Sequence, residues 1–150
     1  MTATGHAVLG AVIAAKVANP AIAIPIAIVS HVAADLFPHW DSGTNGSKKS
    51  AKRMFLESLI DVSVGFIIAY SIILLVFPKT NLLYVFLIII MSQALDWITA
   101  PYFILNFKFP PFSYLHSFQS AINTKLDKPW GIIDQISILL LIVVISAKFF

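Results

Sequence analysis

Long apolar runs alternate with short polar ones along this chain. Five runs stand out, over residues 4–18, 20–37, 54–77, 82–99 and 130–150. Each is too long and too uniformly apolar for a strand and predicts a helix. About 20 apolar residues carry a helix across a hydrocarbon core about 30 Å thick. The pattern therefore predicts an all-α fold, a polytopic membrane helical bundle of about five hydrophobic helices. No repeat of 20–50 residues divides it, so residues 1–150 read as a single integral membrane domain.

The stretch 4–37 must be divided. As one helix it would be about 50 Å long, from the rise per residue. Asn19-Pro20 interrupts it with a good cap followed by proline at a first helical position. The expectation is a short helical hairpin, whose first arm of about 22 Å need not cross fully. Ala7, Gly10, Ala11, Ala14, Ala15 and Ala18 recur at the spacing that lets membrane helices approach closely, which predicts packing on the alanine-rich second arm. Polar connections fall at 38–53, 78–81 and 101–129. Within the last, residues 112–123 alternate aromatic and polar side chains and predict an interfacial helix.

Composition narrows the class. The chain is 59% hydrophobic and 11% charged, against about 45–50% and about 25% in soluble domains. That excludes a disordered chain and argues against an ordinary soluble globule. With no cysteine there are no disulfides and no thiolate metal sites. The beginning of the sequence lacks a basic region like that of a cleavable signal, so the first apolar run reads as part of the mature fold. The net charge of +3 is expected to set topology and attract anionic lipid headgroups rather than nucleic acid. Alternating the five runs puts Lys48, Lys49, Lys52, Arg53, Lys108, Lys125 and Lys128 on one side and Lys16, Lys79 and Lys148 on the other. The richer side is then cytoplasmic, with the N-terminus, in an inner or plasma membrane.

The same alternation puts every acid and every histidine in the half of the protein nearest that basic side. His31 and Asp35 are four apart and share a helical face, as do Glu57 and Asp61. Pro38 ends the second helix and turns the chain into His39-Trp40-Asp41. The run His31-x3-Asp35-x3-His39-x-Asp41 has metal-ligand spacing, and imidazole with carboxylate suits zinc, manganese or iron. His6, Asp96 and His116 fall at the same end and complete the candidate ligands. Asp61 lies far enough along its helix that, unpaired, it would cost at least about 2.5–3.5 kcal/mol on insertion scales. Glu57 and Asp61 are the candidate catalytic groups, completing a metal shell or, for Glu57 above all, acting as general base. Lys52, Arg53 and Gln119 are the candidate substrate-binding residues: the two cations would balance an anionic substrate, and Gln119 shares a stripe with His116 and Asn123.

Plainer readings stand beside these. The histidines and acids of 31–41 could be the interfacial end of a helix and a polar turn. Asp96 has Ser92 and Gln93 within helical reach. Glu57 and Asp61 could pair with Lys52 or Arg53, and His116 could be a solvated loop residue.

Ser30-His31-Val32-Ala33-Ala34-Asp35-Leu36-Phe37-Pro38-His39-Trp40-Asp41 resembles the His-x3-Asp...Pro-x-His signature of membrane-bound metal-dependent hydrolases, inner-membrane proteins whose motif is similar to that of zinc-dependent phospholipase C. Thr4-Gly5-His6 before a helix of small residues resembles the opening of that family. The likeness spans residues 4–41. It implies a helical fold, a site of two or three metal ions and phosphoester hydrolysis, with His6, His31, Asp35 and His39 at ligand positions.

The function expected is metal-dependent hydrolysis of a phosphoester, in a lipid or lipid-linked substrate, by metal-activated water at the cytoplasmic interface. The cofactor expected is a divalent ion, zinc first. Two other classes fit parts of the pattern. A cation or proton transporter would use Asp61 and Asp96 as a path, and a non-catalytic membrane protein would keep a structural metal.

Overall fold

The computed structural model describes residues 1–45 and 48–149, so Gly46 and Ser47 of the polar turn, and Phe150 at the end of the last apolar run, lie outside the described residues. Seven helices are found among those described: α1 (Ala3–Lys16), α2 (Pro20–Asp35), α3 (Ala51–Val76), α4 (Leu82–Ser92), α5 (Ala94–Ile104), α6 (Phe112–Ile122) and α7 (Trp130–Phe149). The fold is all-α.

Side-chain caps start the helices where the sequence supplies short oxygen-bearing residues. Thr2 accepts from the Gly5 amide, Asn19 from Ala21, Ser50 from Arg53 and Asn81 from Tyr84. Each satisfies a backbone donor that a helix leaves open at its first turn. At α2, Pro20 follows the cap at a position where its missing N–H costs nothing.

Fewer helices are suited to crossing a membrane than the five apolar runs predict. Two are long and apolar enough, α3 with 26 residues and α7 with 20, and the bent pair α4–α5 makes a third if it counts as one span. α1 and α2 have 14 and 16 residues. They are about 21 and 24 Å long, short of a core about 30 Å thick. They do form the expected hairpin, since the rings of His6 and His31 stack at 3.8 Å. The run 82–99 is not one straight helix: α4 and α5 meet at an angle of 54°.

The small residues of α1 meet the alanine-rich second arm as expected, through Ala23 and Ala27, and two further helices besides. α1 is the central helix, packed chiefly between α3 and α4 and less against α2. A Cβ on Gly10 would lie 2.6 Å from the Ser92 hydroxyl and 3.0 Å from the Ile89 Cα, both on α4. From the other side, a Cβ on Gly65 of α3 would lie 2.9 Å from the Thr4 Cα. Ala7, Ala11, Ala14, Ala23, Ala27, Ala69, Ile73, Val85, Ile88 and Ile89 form the buried core where α1, α2, α3 and α4 meet. Large apolar side chains point outward instead from α3 (Ile60, Ile67, Leu75) and α7 (Ile136, Leu140, Leu141). An exposed apolar surface of this extent is compatible with a lipid-facing one.

A helix, α6, is found where one was expected over 112–123. It packs on α5, and the chain after it returns to the end of α2. There the segment 124–126 straps His39 from both sides: the His39 amide donates to the Thr124 carbonyl at 3.1 Å, and the Leu126 amide to the His39 carbonyl at 2.7 Å.

Candidate metal centre

Three helices and one loop converge where α1 begins and α2 ends. α1 contributes His6, α2 contributes His31 and Asp35, the strapped loop contributes His39 and Asp41, and α5 contributes Asp96. The three imidazoles and the Asp35 carboxylate are buried.

Asp35 is the hub. Its Oδ1 lies 3.3 Å from His6 Nε2 and 4.0 Å from His39 Nε2, and its Oδ2 lies 3.4 Å from His31 Nε2. The Met1 amino group also lies against Oδ1, so the structure already places one cationic nitrogen on this carboxylate. His31 Nε2 is 3.7 Å from Asp96, and His39 Nε2 is 3.8 Å from Asp41.

The outward ring nitrogens explain why these edges converge. His31 Nδ1 is bonded to the Ser92 carbonyl at 2.8 Å and His39 Nδ1 to the Phe37 carbonyl at 2.7 Å. A carbonyl can only accept, so Nδ1 carries a proton in both rings, and a neutral ring then presents its lone pair at Nε2. Backbone acceptors that fix the tautomer in this way are the usual outer partners of metal-ligating histidines. The Nε2 atoms of His6, His31 and His39 are buried and have no hydrogen-bond partner. Buried polar atoms are nearly always paired, and three orphans facing carboxylates fit a cation. His6, His31 and Asp96 offer donor atoms all within 4.8 Å of one another, a group that could hold a metal ion.

The break between α4 and α5 builds part of this. Were the helix continuous, the Ser92 carbonyl would be taken by the amide four residues on. The break frees it for His31, while the Ser92 hydroxyl donates to the His6 carbonyl at 2.7 Å. Gln93, at the break itself, donates to the Ala3 carbonyl at 2.9 Å. One break thus anchors the helices carrying both stacked histidines.

α6 closes the carboxylate side. Gln119 donates to Asp96 at 2.9 Å, so Asp96 is met by Gln119 rather than by Ser92 or Gln93. Asn123, one turn on, lies 3.3 Å from Asp41 as a donor. Asp41 also receives the Thr44 hydroxyl at 2.8 Å and has Lys125 at 3.6 Å. Burial pushes its carboxyl pKa up, but His39, Lys125 and Thr44 together hold it well below the usual carboxylate range.

The remaining sequence candidates lie elsewhere. Both Glu57 oxygens are occupied, by Lys49 at 2.7 Å and Arg53 at 2.8 Å. Asp61 accepts from the Ala3 amide at 2.7 Å, the Thr4 amide at 3.1 Å and the Thr4 hydroxyl at 2.7 Å, so it closes the start of α1. His116 stacks on Tyr102 at 4.1 Å and meets the edge of Phe103. Burial, then Lys125, lowers its pKa and favours the neutral ring. Lys52 is exposed on α3.

Some contributors had no local signal. The Ser92 carbonyl and the strap 124–126 act through backbone atoms, which any residue carries. Asn123 could have been found, because it shares the stripe of His116 and Gln119. No protein-family model matches the chain, no curated protein matches its sequence, and no solved structure matches its fold.

Proposed function

We propose that this chain is a metal-dependent membrane hydrolase that cleaves a phosphoester. The observation that supports the reading is the set of three buried, unpartnered imidazole nitrogens around one carboxylate. His6, His31 and Asp96 would hold one ion, with Asp35 beside them. His39 faces the Asp35 oxygen that His6 also faces, and with Asp41 beside it would extend the donor set toward a second. Nitrogen and oxygen donors without thiolate favour zinc, with manganese or iron as alternatives. A bound ion of this kind would lower the pKa of water to near 7 and polarise a phosphoryl oxygen.

The chain's own groups would do the rest. Asp96 is 44% exposed at its side chain and lines a cavity, which gives it access to water and a role as proton acceptor. Glu57 would fix Lys49, and Asp61 would fix the start of α1 and so the height of His6. The bias of basic residues supports a site at the cytoplasmic face.

A structural metal is the second reading, favoured by the count of protein donors: a shell filled by His6, His31, Asp35 and Asp96 leaves no open position. Metal analysis of the purified chain beside His31→Ala and Glu57→Gln tests the first step. Bound metal that is lost in His31→Ala and retained in Glu57→Gln is expected. Protein purified without metal under replete conditions overturns the reading. Hydrolysis of a phosphoester by the loaded wild type then separates the catalytic reading from the structural one.

A further inference from the structure

A cavity of about 480 Å³ opens beside the histidine cluster, between α3, α5 and α6. Its size is that of a small-ligand pocket. Its lining is of two kinds. The polar part includes Asp41, Asp61, Asp96, His116, Gln119 and Asn123, together with Lys49 and Lys125. The apolar part includes Phe55 and Leu59 of α3 and Trp97, Phe103 and Ile104 of α5.

Those five apolar side chains are exposed, and Leu56 and Ile60 of α3 and Ile98 of α5, their neighbours along the same helices, are exposed as well. The apolar wall of the cavity is therefore continuous with the outer faces of α3 and α5. The two helices touch at only a few positions, because α3 packs along α1 and α5 along α6. A ligand can reach the cavity sideways from the surface that suits lipid, without passing through water.

The cations of the polar part are not equivalent. Lys49 is committed, donating to Glu57 at 2.7 Å and to the Ser42 carbonyl at 2.9 Å. Lys125 is 40% exposed and 3.6 Å from Asp41, a loose pair. If it turns to an incoming anion, Asp41 keeps the Thr44 hydroxyl and Asn123 as partners.

We infer that this cavity binds a lipid with an anionic phosphate headgroup, the phosphate lying between Lys125 and the histidine cluster and an acyl chain leaving between α3 and α5. The inference rests on the hydrolase reading in one respect: an ion on His6, His31 and Asp96 supplies the positive charge that offsets Asp41 and Asp96. The occupant is a lipid and not a soluble phosphate because the wall beyond the headgroup is apolar and open to the lipid-facing surface. A polar substrate would gain nothing from Phe55, Leu59 and Phe103.

Photolabelling tests it without requiring turnover. The full chain, metal-loaded in mixed micelles, is irradiated with phosphatidic acid carrying a diazirine on one acyl chain, and adducts are mapped by mass spectrometry. Labelling of residues 55–62 and 97–104 is expected, with at least a tenfold reduction by unlabelled phosphatidic acid and little by diacylglycerol. Lys125→Glu should weaken the labelling severalfold. Ala100→Trp, which fills the cavity from α5, should abolish it while metal content stays that of the wild type, and Ser58→Trp fills it from α3 if the first variant does not fold. Labelling that is no more competable than that of the outer face of α7 overturns the inference. So does competition by inorganic phosphate equal to that by phosphatidic acid, or wild-type labelling in both filled variants. Competable labelling without phosphoester hydrolysis keeps the lipid site and removes the hydrolase reading.

Discussion

His31 donates from Nδ1 to the carbonyl of Ser92, 2.8 Å away, at the point where α4 breaks into α5. The break and the histidine are one device. A continuous helix would consume that carbonyl, and without it the ring would be free to turn its other edge inward. Gln93 holds the break by reaching the Ala3 carbonyl. Gln93→Leu is expected to lower metal affinity about 10- to 100-fold, the usual effect of losing an outer partner, without removing any donor. Chelator-competition titration of the purified variant measures this.

Asp61 is expected to matter for stability before chemistry. It satisfies the Ala3 and Thr4 amides at the start of α1. Capping substitutions cost about 0.5–2 kcal/mol, so Asp61→Ala should lower the unfolding free energy by about that amount. Asp61→Asn, which keeps one acceptor oxygen, should lose less. Thermal unfolding in detergent compares the two, and equal stability of wild type and Asp61→Ala would contradict the capping role.

Gly131 is expected to tolerate no side chain. A Cβ there would lie 2.3 Å from the Leu126 carbonyl oxygen and 2.7 Å from the Trp40 amide nitrogen, both backbone atoms that cannot swing aside. The Trp40 amide donates to the Gly131 carbonyl at 3.2 Å, so the clash falls on the strap that holds His39. Gly131→Ala should destabilise by about 1–3 kcal/mol, the range for overpacking, and should speed proteolysis within 38–45 and 123–129. Limited proteolysis with mass mapping detects this.

His116 sets a pH dependence. Burial and Lys125 lower its pKa in the folded chain, so the folded state favours the neutral ring and the unfolded state binds the proton more readily. Its contribution is present above the ordinary histidine range and is lost as pH falls through that range toward the lower folded value. Thermal stability should therefore fall from pH 8 to pH 5, and His116→Phe, which retains the stacking on Tyr102, should flatten that fall. Melting curves across the interval test it.

Much of the site was legible because its parts are chemically distinctive. His31, Asp35, His39 and Asp41 stand out at a spacing that one helix end and one turn can bring together, and the structure does so. Glu57 and Asp61 have the same four-residue spacing, yet they face different neighbours: Lys49 and Arg53 for one, the start of α1 for the other. Spacing along a helix fixes which side chains share a face but not what lies opposite that face.

The sequence by itself determined an all-helical, apolar chain, the turn at Asn19-Pro20 and a concentration of acids and histidines at one end. These follow from local properties: run length, capping oxygens, proline, and the cost of placing charge in hydrocarbon. The tertiary structure decided that α1 is the central helix, that α4 and α5 are separate, and that Asp35 is the hub. Those outcomes depend on which helix lies against which. Gly10 fits α4 because Ser92 and Ile89 leave room only for hydrogen there, and His31 finds its acceptor 61 residues away in sequence. No local pattern encodes a partner at that separation, because the deciding energy arises only when both surfaces have formed.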